Sequence, residues 1–222
     1  MNKIFTLLLV LVIPLLTNAQ KLYRKFTVGV GTGLAYNHGD LRGREGKEVY
    51  MGNLEYFFTP YIVGNGELQV GNMAGYGLET NRYFRSDFRS VTGNLKLYMG
   101  RLTDKFRGPY AYKTKLSQLF EGLYAGAGMG MIKSTQRDIY RQKDNDMYRG
   151  WDTDRDLIIP VSVGLDNSSF NSRIVAGLRY QYAFGLGDNM DGYAIKGSAK
   201  DMYSTISVSL KYRFGSEHRY FQ

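Results

Sequence analysis

The sequence predicts an all-β fold, an eight-stranded antiparallel up-and-down transmembrane β-barrel. Three observations lead to this prediction: an apolar leader, eight segments whose side chains alternate in character, and a composition rich in glycine and aromatic residues. The 222 residues include 27 Gly, 19 Tyr and 12 Phe but only 4 Pro. After the leader, no segment reaches the roughly 18 continuous apolar residues of a transmembrane helix. A passage through a membrane would therefore have to use strands.

The first residues have the pattern of a secretory signal peptide. Lys3 supplies a positive charge, residues 4–16 form an apolar run, and Thr17-Asn18-Ala19 ends in small side chains. The alternative is a retained anchor, but so short a run cannot cross a core of ~30 Å as a helix. We therefore expect a signal peptide at 1–19, a barrel domain at 20–215 and a short tail at 216–222.

The charge and cysteine content exclude several classes of protein. The chain has no cysteine, so neither disulfides nor thiolate metal sites are expected. Its net charge of +9 could indicate nucleic-acid binding, but an exported protein does not meet nucleic acid. The accessible anionic partners are outer-membrane lipid and the phosphates of lipopolysaccharide.

Alternation with a period of two residues is the decisive signal for strands. In the first segment, Phe26, Val28 and Val30 alternate with Thr27 and several glycines. One face is therefore bulky and apolar, while the other is nearly bare backbone, which suits a narrow barrel interior better than contact with water. Eight segments follow this pattern, at residues 26–36, 50–58, 62–71, 91–99, 123–131, 157–165, 174–184 and 205–214.

Segments of about ten residues have the length that a tilted strand needs to cross a bilayer. An even number of strands places both termini on one side, the periplasm in an outer-membrane protein. Short periplasmic turns are expected at Thr59-Pro60 and 166–172, whereas the connection at 102–121 is unexpectedly long and basic and could form a short helix. The longer, external loops are expected at 37–48, 72–87, 133–156 and 185–201.

The hydrocarbon of a membrane also explains why the sheet should close. An unpaired strand edge would leave amide groups without partners, at a cost of several kcal/mol for each group. Aromatic residues at segment ends fit girdles at the two membrane interfaces. The alternative is a soluble barrel of lipocalin type, which would not need so many bulky outward side chains. The girdle residues are Tyr36, Phe58, Phe184, Tyr212 and Phe214.

Six charged residues occupy positions that the alternation points inward. An eight-stranded barrel has room only for its own side chains or one small ligand, and buried charges must be paired. We predict an ion-pair and hydrogen-bond network that plugs the lumen, with a narrow conducting pore as the alternative. The residues of this lumen network are Glu55, Glu67, Lys96, Arg179, Lys211 and Arg213.

Loose motifs recur over nearly the whole chain after the leader. They are Gly29-Val30-Gly31-Thr32-Gly33, Gly39-Asp40-Leu41, Leu54-Glu55-Tyr56-Phe57-Phe58-Thr59-Pro60, Tyr124-Ala125-Gly126-Ala127-Gly128, residues 188–193 and Leu210-Lys211-Tyr212-Arg213-Phe214-Gly215. With these motifs the chain resembles the OmpA-like, porin-type small outer-membrane barrels, above all variants from bacteria with type IX secretion. The resemblance implies integration into the outer membrane. It also raises an accessory role in type IX protein secretion, because one branch of the family belongs to that machinery.

In that family, the last strand carries alternating apolar side chains and ends in an aromatic residue. The corresponding residues here resemble this assembly signal, which implies the barrel-assembly machinery as a transient partner. They are Ile206, Val208, Leu210, Tyr212 and Phe214.

Residues with catalytic or metal-binding potential are few. His38 lies beside Asp40 and could act as a general base, whereas His218 lies in the predicted tail. The carboxylates of 144–146 and 152–156 could bind Ca²⁺, but the loop lacks the glycine and the later glutamate of an EF-hand. We therefore predict no enzyme, no cofactor and no metal site. The same loop contains Trp151, the only tryptophan, which could contact lipid or a partner.

A cluster of basic residues surrounds the fourth predicted strand. Its external members could bridge lipopolysaccharide phosphates, for which arginine is well suited. The cluster consists of Arg82, Arg85, Arg89, Arg101, Lys105 and Arg107. Taken together, the sequence predicts a non-enzymatic structural or partner-binding protein of the outer membrane. A narrow pore or small-ligand transporter is the second hypothesis, and an enzyme with a site at the rim is the third.

Overall fold

The computed structural model describes residues 22–38, 43–77, 82–99, 122–139, 153–167, 173–187 and 202–219. These residues form antiparallel strands that follow one another in chain order. The strands are β1 (Leu22–Asn37), β2 (Gly43–Glu45), β3 (Lys47–Phe57), β4 (Ile62–Gly77), β5 (Arg82–Tyr98), β6 (Leu123–Ile139), β7 (Thr153–Asn167), β8 (Ile174–Gly185) and β9 (Met202–Arg219). Among the described residues, no helix is both long and apolar enough to cross a bilayer.

The strands close into a barrel with eight positions. Consecutive strands from β3 to β9 pair with one another, and β1 pairs with both β3 and β9. The short β2 and the longer β3 both pair with β4 and are separated only by Gly46, so they form one barrel strand with an irregularity. A Cβ atom on Gly46 would lie 2.8 Å from the Tyr36 ring, which favours glycine at this point. The predicted eight-stranded antiparallel up-and-down barrel is confirmed.

The strand register fixes the tilt of the barrel. A path of directly paired residues leaves β1 at Phe26, crosses every barrel strand and returns to β1 at Tyr36, ten residues further along. With a rise of ~3.3 Å per residue and a spacing of ~4.8 Å between strands, this stagger corresponds to a tilt of about 40°. Such a barrel is too narrow for a wide channel, and its interior must be filled by side chains.

The strands are longer than the sequence predicted, between 11 and 18 residues apart from β2. The predicted loop at 72–87 is mostly strand, because β4 continues to Gly77 and β5 begins at Arg82. Both ends of the predicted loop at 133–156 and half of the predicted loop at 37–48 are also strand. Polar side chains mark the end of the apolar belt, but backbone pairing continues beyond it, where both faces of a strand can meet water.

At the opposite end of the barrel, the turn at Thr59-Pro60 follows the prediction, whereas residues 166 and 167 of the turn predicted at 166–172 belong to β7 and residues 168–172 lie outside the described ranges. The β3–β4 turn is short, and the Thr59 hydroxyl accepts hydrogen bonds from the amides of Tyr61 (3.2 Å) and Ile62 (2.9 Å). Strand β9 continues to Arg219, into the predicted tail at 216–222. The long connection expected at 102–121 and the signal peptide predicted at 1–19 lie outside the described residues.

The two faces of the strands differ as the alternation predicted. Outward positions form a continuous belt of exposed apolar side chains, including Val30, Leu54, Leu68, Leu95 and Leu210. Aromatic rings are in contact at both edges of the belt. The ring centres of Phe26 and Tyr56 are 5.1 Å apart at the turn end, and those of Tyr182 and Phe184 are 4.9 Å apart at the loop end. An apolar belt bounded by aromatic residues is the surface that a bilayer requires of a barrel. The packed core lies inside the barrel.

Candidate functional site

The barrel interior contains a layer of charged residues on inward-facing positions of several strands. Glu55 and Glu67 come from the adjacent strands β3 and β4, Lys96 from β5, Arg179 from β8 and Lys211 from β9. Each of these residues is more than nine-tenths buried. Residues far apart in the chain therefore meet in a water-poor space, where an unpaired charge would be very costly.

Glu55 lies between two lysines. Its Oε1 atom accepts hydrogen bonds from Lys96 Nζ at 2.7 Å and from Lys211 Nζ at 2.9 Å. Asn53, two residues away on the same face of β3, donates to the same oxygen at 3.3 Å. One carboxylate thus joins β3, β5 and β9 across the lumen.

Glu67 forms a second, two-pronged ion pair. Arg179 donates from Nη1 to Oε2 and from Nη2 to Oε1, the latter at 2.9 Å. Gln69 also donates to Oε1 at 2.6 Å, and Arg179 Nη2 contacts the Met51 sulfur at 3.1 Å. The planar fork of arginine matches the two oxygens of a carboxylate, so this pair fixes orientation as well as charge.

Asp166 completes the charge layer and was not among the residues predicted for it. Its Oδ2 atom lies 2.7 Å from Lys211 Nζ and accepts a hydrogen bond from the Tyr98 hydroxyl at 2.5 Å. The sequence placed Asp166 in a turn because the apolar alternation ends at Leu165. Strand β7 continues to Asn167, however, and the alternation from Ser162 through Gly164 gives Asp166 an inward position. This alternation of inward and outward positions was the feature of the sequence that could have identified Asp166 as a residue of the barrel interior.

The buried layer is electrically balanced. Three carboxylates, Glu55, Glu67 and Asp166, face the three cations Lys96, Arg179 and Lys211. The Tyr124 ring adds a further contact, with Lys96 Nζ 4.9 Å and Lys211 Nζ 5.8 Å from its centre. Because every charge has a partner of opposite sign, the layer can remain ionised without water.

Arg213, the sixth residue predicted for the lumen network, lies apart from this layer. It is half-buried near the turn end of the barrel, and its guanidinium lies 5.9 Å from the centre of the Phe57 ring. The structure therefore brings five of the six predicted residues into the buried ion pairs and places the sixth against an aromatic side chain.

Apolar side chains pack inside the barrel on both sides of the charge layer. The order along β3 makes this clear, because Phe57, Glu55, Met51 and Val49 face inward in succession from the turn end. We call the two groups the turn-end cluster and the loop-end cluster. The turn-end cluster consists of Phe57, Val63, Tyr98 and Tyr124. The loop-end cluster consists of Ala35, Val49, Met51, Met73, Phe88, Ile132, Ile158, Ala183 and Tyr203.

Little space is left between the charged side chains. The cavity beside Glu67, Lys96, Arg179 and Lys211 measures about 10 Å³, which is room for roughly one water molecule. At the level of the charge layer, the described interior therefore leaves no room for a solute.

The residues with predicted catalytic or metal-binding potential are mostly outside the described ranges. Asp40, Trp151 and residues 144–146 lie there, and the side chain of His218 is not described. His38 lies at the end of β1 with its ring against Tyr182 (5.3 Å), and its Nδ1 atom is 3.1 Å from the Tyr36 carbonyl oxygen. Within the described ranges, acidic and histidine side chains do not come together in groups of three or more that could hold a metal ion.

Asp156, at the loop end of β7, has a local structural role. Its carboxylate accepts hydrogen bonds from the amide of Leu157 at 2.7 Å and from the amide of Gly187 at 2.6 Å. These contacts tie the start of β7 to the residues that follow β8. By accepting these two hydrogen bonds, the Asp156 carboxylate stabilises the backbone at the loop end of the barrel.

The predicted assembly signal lies on the outward face of β9. Its five residues are exposed on the belt, with Phe214 stacked on Phe26 at 5.6 Å. Backbone pairing joins β9 to β1 on one side and to β8 on the other, so this strand closes the barrel.

Comparisons with known proteins give matches among solved structures, all at low sequence identity. No family model matches the chain, and no curated protein matches it. Among solved structures, the Neisserial surface protein A matches with a TM-score of 0.49 and 9% identity, covering 85% of this chain and 97% of the other. The attachment invasion locus protein of Yersinia pestis matches with a TM-score of 0.48 and 13% identity, covering 86% and 99%. The N-terminal β-barrel domain of Pseudomonas aeruginosa OprF matches with a TM-score of 0.35 and 11% identity, covering 83% and 97%.

Proposed function

We propose that this chain is a non-enzymatic, integral protein of the outer membrane that serves as a structural or partner-binding component. The observation that carries the proposal is the filled lumen. Glu55, Glu67 and Asp166 hold three buried cations between two apolar clusters, so the interior serves to hold the barrel together. A function would then lie on the outer surface or in the connections between strands.

Two features support the outer membrane as the location. A signal peptide at 1–19 would export the chain, and a barrel satisfies its backbone hydrogen bonds without water. The belt of exposed apolar side chains suits hydrocarbon. Because the barrel has an even number of strands, the first and last strands begin and end at the same end of the barrel, and in our proposal this end faces the periplasm, from which the exported chain would insert.

Electrical recording tests the filled lumen. The mature protein, folded in detergent and inserted into planar bilayers, should give no stepwise increase in current, because the charge layer and both apolar clusters obstruct the path. Folding is verified on the same samples by the difference in migration between the unheated and the heated protein in gel electrophoresis. Reproducible current steps that disappear when the protein is heat-denatured would favour the alternative of a narrow pore or small-ligand transporter.

Protein partners are a separate part of the proposal. The resemblance to barrels from bacteria with type IX secretion suggests an accessory role in that system, and the outward residues of β9 suggest transient contact with the barrel-assembly machinery. Tagged protein would be isolated from detergent-solubilised outer membranes and its stable companions identified. We expect outer-membrane or periplasmic proteins that are absent when an unrelated tagged barrel is used. Secretion components among them would support the accessory role, and an identical set from both barrels would contradict it.

A further inference from the structure

Three basic residues form a row on the outer surface of the barrel. Arg89 on β5 is paired directly with Lys133 on β6, and Lys133 is paired directly with Arg155 on β7. All three residues are exposed on the outward face. We call them the basic row.

The basic row lies where the apolar belt ends. The next outward residues toward the belt are Val91, Met131 and Leu157, which also lie opposite one another and are 57%, 63% and 54% exposed. On each of the three strands, the residue of the basic row is therefore the first outward-facing side chain beyond the apolar belt. Such a position is at the depth of lipid headgroups.

The other side of the barrel differs at the equivalent positions. The first outward residue beyond the belt is Tyr36 on β1, Glu48 on β3 and Asn72 on β4. Compared with β1, β3 and β4, the described positions on β5, β6 and β7 thus carry the positive charge at this edge, which gives the barrel one preferred lateral side for an anion.

The row is unfavourable in the protein alone. Like charges directly opposite each other on a sheet are destabilising, and the ion pairs of the described residues lie elsewhere. Asp87, the next outward residue on β5, can offset one of the three charges, while the exposed Arg85 beyond it adds another. Asp156 points inward and is held by two amides. Among the side chains that the structure describes at this edge, a surplus of positive charge therefore remains.

We propose that the basic row, with the apolar residues beneath it, is a lateral binding site for a phosphorylated glycolipid of the outer leaflet, of the lipid A type. Neighbouring side chains in such a row are about 5 Å apart, so several cations can contact phosphate groups on one headgroup. Arginine binds phosphate with two parallel hydrogen bonds. The acyl chains of the same lipid would lie against Val91, Met131 and Leu157.

This inference rests on the proposed orientation, in which the loop end of the barrel is external. In that orientation the row faces the leaflet that carries phosphorylated glycolipids. The phosphate groups of the lipid would also supply the negative charge that the basic row lacks within the protein. This charge would offset the repulsion between the three neighbouring cations.

Lipid binding to the purified mature barrel tests the site. Bisphosphorylated lipid A is titrated in neutral detergent and bound lipid is counted by native mass spectrometry. The variant Arg89→Gln/Lys133→Gln/Arg155→Gln should bind it on the order of tenfold or more weakly than the original protein. The control variant Lys25→Gln/Lys47→Gln/Arg173→Gln loses the same charge outside the row and should bind like the original. Equal weakening in both variants would show that only net charge matters and would overturn the site.

Other probes distinguish the source of the phosphate. Monophosphorylated lipid A should bind more weakly than the bisphosphorylated form, and phosphatidylglycerol more weakly still. Inorganic phosphate at millimolar concentration should not displace bound lipid A. Displacement by inorganic phosphate, or preference for phosphatidylglycerol, would contradict a glycolipid site.

Thermal unfolding with and without lipid A gives a second test, because the two conditions are expected to favour different variants. Without lipid, the row variant should unfold at the same or a higher temperature than the original, because the cross-strand repulsion is removed. With lipid A, the original protein should gain more stability than the variant. Equal gains would overturn the inference, whereas the electrical recordings that test the filled lumen would be unaffected by either result.

Discussion

Replacing Glu55 by glutamine is expected to lower the free energy of unfolding by about 3–5 kcal/mol, the range for loss of one partner from a buried ion pair. Glu55 is the carboxylate shared by Lys96 and Lys211. Glutamine keeps the size and one acceptor but removes the negative charge. Lys211 retains Asp166 as a partner, so Lys96 would be left as the uncompensated charge.

Equilibrium unfolding in denaturant, with the barrel in detergent micelles or lipid vesicles, measures this loss. Glu48→Gln is the matched control, because Glu48 is an exposed carboxylate on the same strand that contacts the Tyr50 hydroxyl. Its effect should stay within about 0.5 kcal/mol. The double variant Glu55→Gln/Lys96→Met removes both charges and should recover most of the lost stability. A double variant as unstable as the sum of its single changes would contradict the pairing.

Replacing Phe88 by alanine is expected to lower the free energy of unfolding by about 3–5 kcal/mol, as for other fully buried aromatic residues. Phe88 has no exposed surface and packs against the Tyr203 ring at 5.6 Å in the loop-end cluster. Its removal leaves a cavity that the closed barrel cannot collapse to fill, because the register of β5 is fixed by both neighbouring strands.

Phe184→Ala provides the comparison, since Phe184 is a phenylalanine of the same size that is exposed on the outward face. We expect a clearly smaller loss there, measured by the same denaturant titration. The Phe88 variant should also remain non-conducting, because the charge layer lies between the cavity and the turn end. A similar loss at both positions would contradict the prediction that burial in the loop-end cluster makes Phe88 the more important residue for stability.

The alternation of side chains was sufficient to predict the number of strands and which face of each strand is buried. In a strand, each residue points opposite to its neighbour, so inward and outward positions follow from a purely local pattern. Glu55, Glu67, Lys96, Arg179 and Lys211 were assigned to the interior in this way. Arg213 was also placed on that face, but it lies near the turn end, where it contacts Phe57 instead of a carboxylate.

Strand ends were predicted less well, and the omission of Asp166 follows from that. The sequence marks where apolar side chains stop, which is where the belt ends. Backbone pairing continues further, because paired strands remain stable where water can wet both faces. At the loop end, such extensions carry the strands past the belt. Asp166 lies just beyond the last apolar residue of β7, but its side chain points inward and is buried.

By itself, the sequence determined the all-β class, the eight barrel strands and their two faces, because these depend on the character of residues one or two positions apart. Tertiary structure alone decided the stagger from Phe26 to Tyr36, the sharing of Glu55 by two lysines and the alignment of Arg89, Lys133 and Arg155. These features require the register between strands far apart in the chain. Closure of the barrel sets that register for all strands together, so no single segment contains it.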